Sequence, residues 1–297
     1  MKHRCFIWRD RVNGMITMNL TAVQSELIAS VHMWRRNWRL YVIEGELLGL
    51  FMMSACGFVT LIEHRSLPIR SAIESPLLRR AMIGAAMGLT AIMLIYSPWG
   101  RRSGALMNPA MTLSFWRLKR LNPLDVAGYI AAQFIGGSLG VALMALLFGT
   151  WIGDSTVNFV ATRPGPYAAA IVWLAEFGIA MLMMSVVMAV NKVPRLARYT
   201  GCFAGALVAI YITFEAPISG MSLNPARTFS SAIHAGEWMG WWIYFTAPIA
   251  GMFTGIELHR VLGSHRQALC GKLNHSDANC HIRCNCIQHP ATQERLS

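Results

Sequence analysis

Charged side chains are scarce in this chain: Asp, Glu, Lys and Arg make up 13% of its 297 residues, where a typical soluble domain has about 25%. Acidic residues are the scarcer sign, with 14 against 26 basic residues and a formal net charge of +12. Hydrophobic residues, in contrast, reach 55%. This balance excludes an intrinsically disordered chain and argues against a soluble globular enzyme. It indicates a protein that is surrounded largely by lipid.

Signals of several other protein classes are also missing. Residues 1–40 contain no continuous apolar core that ends at a small-residue cleavage site, so we predict no cleavable signal peptide. The seven cysteines do not have the spacing of a secreted disulfide framework. No nucleophile–base pair, phosphate-binding loop or metal cage can be recognised, so we expect no enzyme, no cofactor and no bound metal. The Cys and His residues of the tail at 261–297 match no well-formed zinc site, and we expect this tail to be disordered in the cytoplasm.

Six apolar segments are long enough to cross a bilayer, which takes about 20 residues. They lie at 41–62, 81–97, 126–148, 169–191, 199–215 and 239–260. Several contain glycines four residues apart, a spacing that lets membrane helices approach closely. These pairs are Gly84/Gly88, Gly136/Gly140, Gly201/Gly205 and Gly251/Gly255. The segments predict an all-α integral membrane protein, with the channel domain at 41–260.

Basic residues are distributed unevenly between the two sides that six spans define. Of the 26 Lys and Arg residues, 20 fall on one side: in the N-terminal segment 1–40, in the loops 98–125 and 192–198, and from Arg260 onward. Because Lys and Arg accumulate in cytoplasmic loops, we expect both termini in the cytoplasm. The charges flank spans and form no single patch, so we expect contact with membrane lipid and no binding of nucleic acid.

Two shorter apolar segments, 103–116 and 217–236, do not fit the six spans. Each leaves about ten residues after an Asn-Pro pair, and these would cover about 15 Å as a helix, half of the hydrocarbon core. We therefore predict two re-entrant half-helices that enter from opposite faces and meet near the middle. Three spans and one half-helix form each half of the chain, at about 41–148 and 169–260. Since three is odd, the second half is inverted relative to the first.

Both half-helices begin with the same motif. It consists of Asn108, Pro109 and Ala110 in the first half and of Asn224, Pro225 and Ala226 in the second. Asn is a strong N-cap and Pro is favoured at the first helical position. Two half-helices that meet head to head would direct two positive dipole ends at one point, where Arg227 adds a charge near membrane depth. Such a point repels cations and admits neutral molecules that accept hydrogen bonds.

Two carboxylates stand at corresponding places in the two halves: Glu46 in the first span and Glu176 in the fourth. Loop backbone inside a membrane needs acceptors for its free N–H groups, and we expect these two side chains to supply them. Ion or proton coupling is the alternative role. We expect Glu44, on another face of the first span, to lie at the membrane interface, and Glu215, at the external mouth, to be solvated.

At these residues the sequence resembles the aquaporin, or major intrinsic protein, family. The likeness covers about residues 41–260 and is strongest in IYSPWGRRSGALMNPAMTL at 95–113 and FEAPISGMSLNPARTFSSAI at 214–233. It implies one pore per subunit, a homotetramer, and a passive channel that conducts water and excludes ions and protons. It also implies that an outer constriction, or selectivity filter, forms from four residues. By spacing these are Met87, Ile212, Met221 and Arg227.

The permeant is less clear from the family pattern. Three apolar filter side chains depart from water-selective members, whereas Thr228, Ala232 and the pair Tyr244-Phe245 match them. Water is therefore the main hypothesis, with small uncharged solutes left open. The alternative is a facilitator of glycerol or of another small neutral solute such as a polyol, ammonia, peroxide or a metalloid acid. An ion-coupled transporter and a non-conducting structural membrane protein are less favoured. We expect a plasma or bacterial inner membrane location.

Overall fold

The computed structural model of the chain describes residues 34–262 and the pair 272–273. By their internal contacts the residues group into two compact units, Met1–Arg39 and Leu40–Ser297. In the first unit, residues 34–39 are helical, and the Arg39 guanidinium lies 5.6 Å from the centroid of the Trp38 ring. The predictions for the rest of the N-terminal segment and for most of the tail lie outside the described residues.

The described part of the chain is helical and holds no β-strand, which confirms the predicted all-α class. In chain order its helices are α1 (Trp34–Glu63), α2 (Pro68–Ala72), α3 (Pro76–Tyr96), α4 (Pro98–Ser103), α5 (Pro109–Arg117), α6 (Pro123–Phe148), α7 (Thr150–Gly153), α8 (Ala169–Asn191), α9 (Pro194–Ala197), α10 (Thr200–Phe214), α11 (Ala216–Ser219), α12 (Pro225–Ala235) and α13 (Trp241–Val261). A 3-10 turn lies at Asn158–Val160. The helices α1, α3, α6, α8, α10 and α13 correspond to the six predicted spans. Four of them, α1, α3, α6 and α8, are long and apolar enough to cross a membrane by length and composition.

Close backbone packing joins these long helices. Extensive contacts pair α8 with α13 and α3 with α10. A Cβ atom at Gly88 would meet the carbonyl of Gly205 in α10, and Gly251 of α13 lies equally close to α8. In the same way, Gly136 of α6 packs directly on the backbone of Gly45 in α1. Lipid is as apolar as the side chains, so helices in a membrane associate through this kind of close packing.

The two Asn-Pro motifs start short helices. Asn108 caps α5, where its Oδ1 accepts from the Ala110 N–H at 2.8 Å. Asn224 caps α12, where its Oδ1 accepts from the N–H groups of Ala226 and Arg227 at 3.0 and 3.2 Å. With 9 and 11 residues, the two helices are about 14 and 17 Å long. They are half-helices in length, as the spacing of the motifs predicts.

The α1–α6 contact gives a direct test of the packing. A methyl group at Gly136 would overlap the Gly45 carbonyl, so we expect Gly136→Ala to lower the free energy of unfolding by about 1–3 kcal/mol, the usual cost of overpacking. Gly178→Ala in α8 is the matched control, because nothing lies within 4 Å of the Cβ that it adds. Thermal unfolding in detergent compares the two variants. Equal stability of Gly136→Ala and the wild-type protein would contradict the close contact.

Candidate functional site

The loops that lead into the half-helices are built alike. Each follows a short helix, α4 or α11, that ends at a left-handed glycine, Gly104 (φ 105°) or Gly220 (φ 85°). Each then places two non-glycine residues at positive φ: Ala105 and Met107 in the first loop, Met221 and Leu223 in the second. A conformation of this kind costs on the order of 1–3 kcal/mol per residue unless the surroundings hold it. Contacts with the surrounding residues must therefore hold both loops in this conformation.

Glu44 holds the first loop. Its Oε1 accepts from the Leu106 N–H at 3.0 Å, and its Oε2 accepts from the Met107 N–H at 2.7 Å. The Gln133 side chain in α6 donates to the same Oε2 at 3.0 Å. Glu44 is 0% exposed, so these hydrogen bonds replace the water that a carboxylate would otherwise need.

Glu176 holds the second loop in the same way. Its Oε1 accepts from the Ser222 N–H at 2.6 Å and from the Ser219 hydroxyl at 2.8 Å. Its Oε2 accepts from the Leu223 N–H at 2.9 Å. The structure thus places Glu176 where its expected scaffold role requires it, against the backbone that precedes the second motif.

The corresponding prediction for Glu46 is wrong. Glu46 is exposed on a groove between α1 and α6, and Glu44 makes the loop contacts in its place. Residues two apart in a helix point in nearly opposite directions, so only one of the two can face the loop. The expectation that Glu44 is interfacial fails for the same reason. The expected solvation of Glu215 fails too, because this side chain is only 8% exposed.

Two tyrosines that sequence reasoning did not assign to the loops also support them. The Tyr129 hydroxyl in α6 donates to the Ser103 carbonyl at 2.6 Å, and the Tyr244 hydroxyl in α13 donates to the Ser219 carbonyl at 2.6 Å. The tyrosines stand 115 residues apart, almost the same offset as the two motif asparagines. That shared offset is the signal that could have identified them.

The two motifs bind to each other's loops. Asn108 donates from Nδ2 to the Leu223 carbonyl at 2.8 Å, and Asn224 donates from Nδ2 to the Met107 carbonyl at 2.7 Å. Each N-cap residue therefore fixes the loop of the opposite half. An Asn amide carries two N–H groups, so each side chain keeps one beyond this bond. The N-termini of α5 and α12, with their partial positive charges, are held at the same point.

A cavity of about 370 Å³ passes this meeting point. Asn108 and Asn224 both line it, and Leu223 and Met107 do as well. The four residues of the predicted filter line the same cavity; they are Met87, Ile212, Met221 and Arg227. Within the described residues, the Nη1 atom of Arg227 is buried without a hydrogen-bond partner. The lining is otherwise mainly apolar and includes six methionines, whose side chains are flexible.

The segment after α7 forms part of the cavity wall at the α11 end. Val157, Val160 and Ala161 line the cavity there. Asp154 anchors the segment, because its carboxylate accepts from the N–H and hydroxyl of Thr156 and pairs with Arg65 at 2.9 Å. The hydrogen bonds from Thr156 and then the guanidinium of Arg65 lower the pKa of Asp154. Asp154 therefore stays charged to a lower pH than a free aspartate does.

The fold and this cavity together define a helical membrane protein of two inverted halves whose half-helices meet inside it. Comparison with known proteins gives the same class. The family model described as major intrinsic protein matches residues 34–258. The rice protein aquaporin NIP1-2 is 30% identical over 245 residues, which are 81% of this chain and 78% of the relative. Nodulin-26 of Glycine max is 31% identical, over 61% of this chain and 65% of its own.

A solved structure shares the fold. The aquaglyceroporin from Plasmodium falciparum aligns with a TM-score of 0.63 at 17% identity and covers 76% of this chain and 97% of its own. The chain belongs to the major intrinsic protein family. It is accordingly a multi-pass integral membrane protein, and members of this family are passive channels and not enzymes.

The finding that Glu44, and not Glu46, holds the first loop can be tested directly. In Glu44→Gln an amide NH₂ group replaces one acceptor oxygen, so one buried loop N–H loses its partner at a cost of about 1–3 kcal/mol. We expect this variant to unfold at a lower temperature in detergent than the wild-type protein. Glu46→Gln is the matched control and should not lower the unfolding temperature, because the loop N–H groups bind Glu44. A larger loss from Glu46→Gln than from Glu44→Gln would contradict the loop contacts.

Proposed function

We propose that this chain is a passive channel that conducts water and small uncharged solutes across a membrane and excludes ions and protons. The observation that carries the proposal is the reciprocal bonding of Asn108 and Asn224 to the opposite loops. It holds two half-helix N-termini against one cavity. The positive ends of the two dipoles and the partly buried Arg227 oppose the entry of a cation at that point.

A neutral permeant meets a different environment. The remaining N–H of each motif asparagine can donate to the oxygen of water or of a hydroxyl group. Most of the other lining is apolar, so a permeant gains few hydrogen bonds and is not retained. Weak binding at a few polar points suits fast passage, because conduction requires that a permeant leave as readily as it enters.

Water is the main permeant that we propose. Thr228 and Ala232, after the second motif, are small and neutral, as the family resemblance expects of water channels. A facilitator of glycerol or of a similar small neutral solute is the second candidate. It is favoured by Met87, Ile212 and Met221 on the cavity wall, because apolar side chains suit the CH face of a polyol. The name of the aquaglyceroporin that shares the fold agrees with this candidate.

The contacts of two buried glutamates, Glu44 and Glu176, favour a channel over an ion-coupled transporter. Such a transporter needs ionisable groups that are available to a moving ion. Each carboxylate here accepts at least three hydrogen bonds, which come mainly from loop backbone and otherwise from a Gln or Ser side chain. Their contacts support a structural role.

The assembly that we propose is a homotetramer in the plasma or bacterial inner membrane, with both termini in the cytoplasm. The orientation rests on the 20 of 26 basic residues that fall on one side. Glu46 gives structural support for an oligomer, since its exposed carboxylate lies on an apolar groove of about 640 Å³ and a charge that faces lipid is costly. The mass of the protein in detergent tests the tetramer, which should be four times the 32.9 kDa of one chain.

Stopped-flow light scattering on proteoliposomes tests the channel function. We expect water efflux well above that of empty liposomes, together with slower uptake of glycerol. Rapid glycerol uptake would replace the water channel with the facilitator, because the apolar filter residues would then set the permeant. Water and glycerol fluxes that both equal those of empty liposomes would refute either channel.

Ion exclusion is tested in the same vesicles with Arg227→Ala. Loss of the guanidinium charge should relax the exclusion of larger or charged species, so a pH-sensitive dye inside the vesicles should report faster proton entry than with the wild-type protein. Unchanged solute selectivity and proton entry in this variant would show that Arg227 is not part of the filter. Flux driven by a proton or sodium gradient in the wild-type protein would favour the ion-coupled transporter instead.

A further inference from the structure

Two residues of the tail are described, and both are buried against the first re-entrant loop. Lys272 is 2% exposed and Leu273 is 4% exposed. The Leu273 N–H donates to the Gly104 carbonyl at 3.1 Å, and the Lys272 ammonium donates to the Arg101 carbonyl at 2.8 Å. Both acceptors lie at the end of α4, where helix carbonyls lack partners and a cation is favourable. The expected disorder of the tail therefore does not hold at this pair.

The Leu273 side chain forms part of the cavity wall at this end. It lines the cavity together with Ile95, Ala105 and Leu106, and it belongs to the same apolar core as these residues. Lys272 does not line the cavity. One residue of the pair thus forms part of the cavity wall, and its neighbour binds the Arg101 carbonyl of α4.

The inverted repeat gives this contact a counterpart at the other end. There, the segment that follows α6 lines the cavity at Val157 and Val160, and its continuation donates from the Gly165 N–H to the Ile218 carbonyl in α11 at 2.9 Å. The tail follows α13 as that segment follows α6. The motif asparagines are 116 residues apart, and the loop tyrosines are 115 residues apart. With either offset, the position in the first half that corresponds to Leu273 is at the start of the 3-10 turn. Val157 lines the cavity there.

Different kinds of contact hold the two segments. The segment after α7 is fixed by the Asp154–Arg65 ion pair and, farther along, by an ion pair between Arg163 and Glu237. The tail pair contacts α4 and its glycine through hydrogen bonds to two backbone carbonyl groups.

We propose that Leu273 is a removable stopper for the α4 end of the channel. When Lys272 and Leu273 are bound to α4 and its glycine, Leu273 narrows the passage beside Ala105 and Leu106. When the pair is released, the passage opens to the solvent on that side. The inference rests on the proposed channel function, since a stopper has an effect only where there is flux.

Water permeability of proteoliposomes, normalised to the amount of reconstituted protein, tests the stopper. Leu273→Ala should raise the permeability several-fold over that of the wild-type protein. Lys272→Met should raise it in the same direction, and because Lys272 does not line the cavity, this increase would come from release and not from a wider wall. Leu262→Ala, at a side chain that is 72% exposed after α13, is the matched control and should leave the permeability unchanged.

The outcomes separate the stopper from the channel. Wild-type flux above that of empty liposomes with no increase in Leu273→Ala or Lys272→Met would overturn the stopper and leave the channel in place. An increase in Leu273→Ala alone would also overturn it, because simple widening of the wall would explain the result. No flux in any of the variants would overturn the channel and the stopper together.

Discussion

Non-helical backbone in the middle of a membrane is the constraint on which this structure depends. The loops before α5 and α12 leave N–H groups that no helix satisfies, and no lipid can accept hydrogen bonds from them. Glu44 and Glu176 accept from these groups, and the carbonyls of the loops accept from the motif asparagines. The same contacts that satisfy the backbone also fix the half-helix ends at the cavity. Support of the loop and formation of the conducting point are thus one arrangement.

Because of the inverted repeat, both halves build this arrangement from the same three kinds of side chain. Each half supplies one carboxylate, one tyrosine and one asparagine, and the asparagine acts on the other half. Because the halves are inverted, the two positive helix ends meet at one place instead of lying on opposite faces. A single half could supply only one end, and the electrostatic barrier to cations would be weaker. The barrier is therefore a property of the pair.

Much of this could be predicted from the sequence. The half-helices follow from Asn-Pro, because a capping side chain and a proline at the first position define a helix start locally. Glu176 is predicted correctly because its helix has a single candidate near that depth. In the first helix there are two, Glu44 and Glu46, and composition does not distinguish them. The residues that line the cavity do distinguish them. Leu48 lines the cavity, and it lies on the same face of the helix as Glu44, one turn earlier.

Other features could not be predicted because they depend on contacts between distant segments. Glu215 follows an apolar helix at the expected surface, and only the packing of the surrounding helices buries it. Leu273 lies in a polar tail with no periodic pattern, so its burial depends on the free carbonyls at the end of α4. Residues of this kind have no local sequence signal. The repeat offset is the one pattern that would have pointed to the tail.

The reciprocal asparagine bonds also set a condition on synthesis. The partner carbonyls lie 115 and 117 residues away from the asparagines that bind them. At about 5–20 residues per second, the first half waits about 6–23 s for its partner to be made. During that interval the Asn108 amide has no Leu223 carbonyl to bind, and the Met107 carbonyl has no Asn224 amide. This holds however well the first three spans have inserted. The last steps of folding therefore require the whole chain, and the two halves reach their final structure together in the membrane.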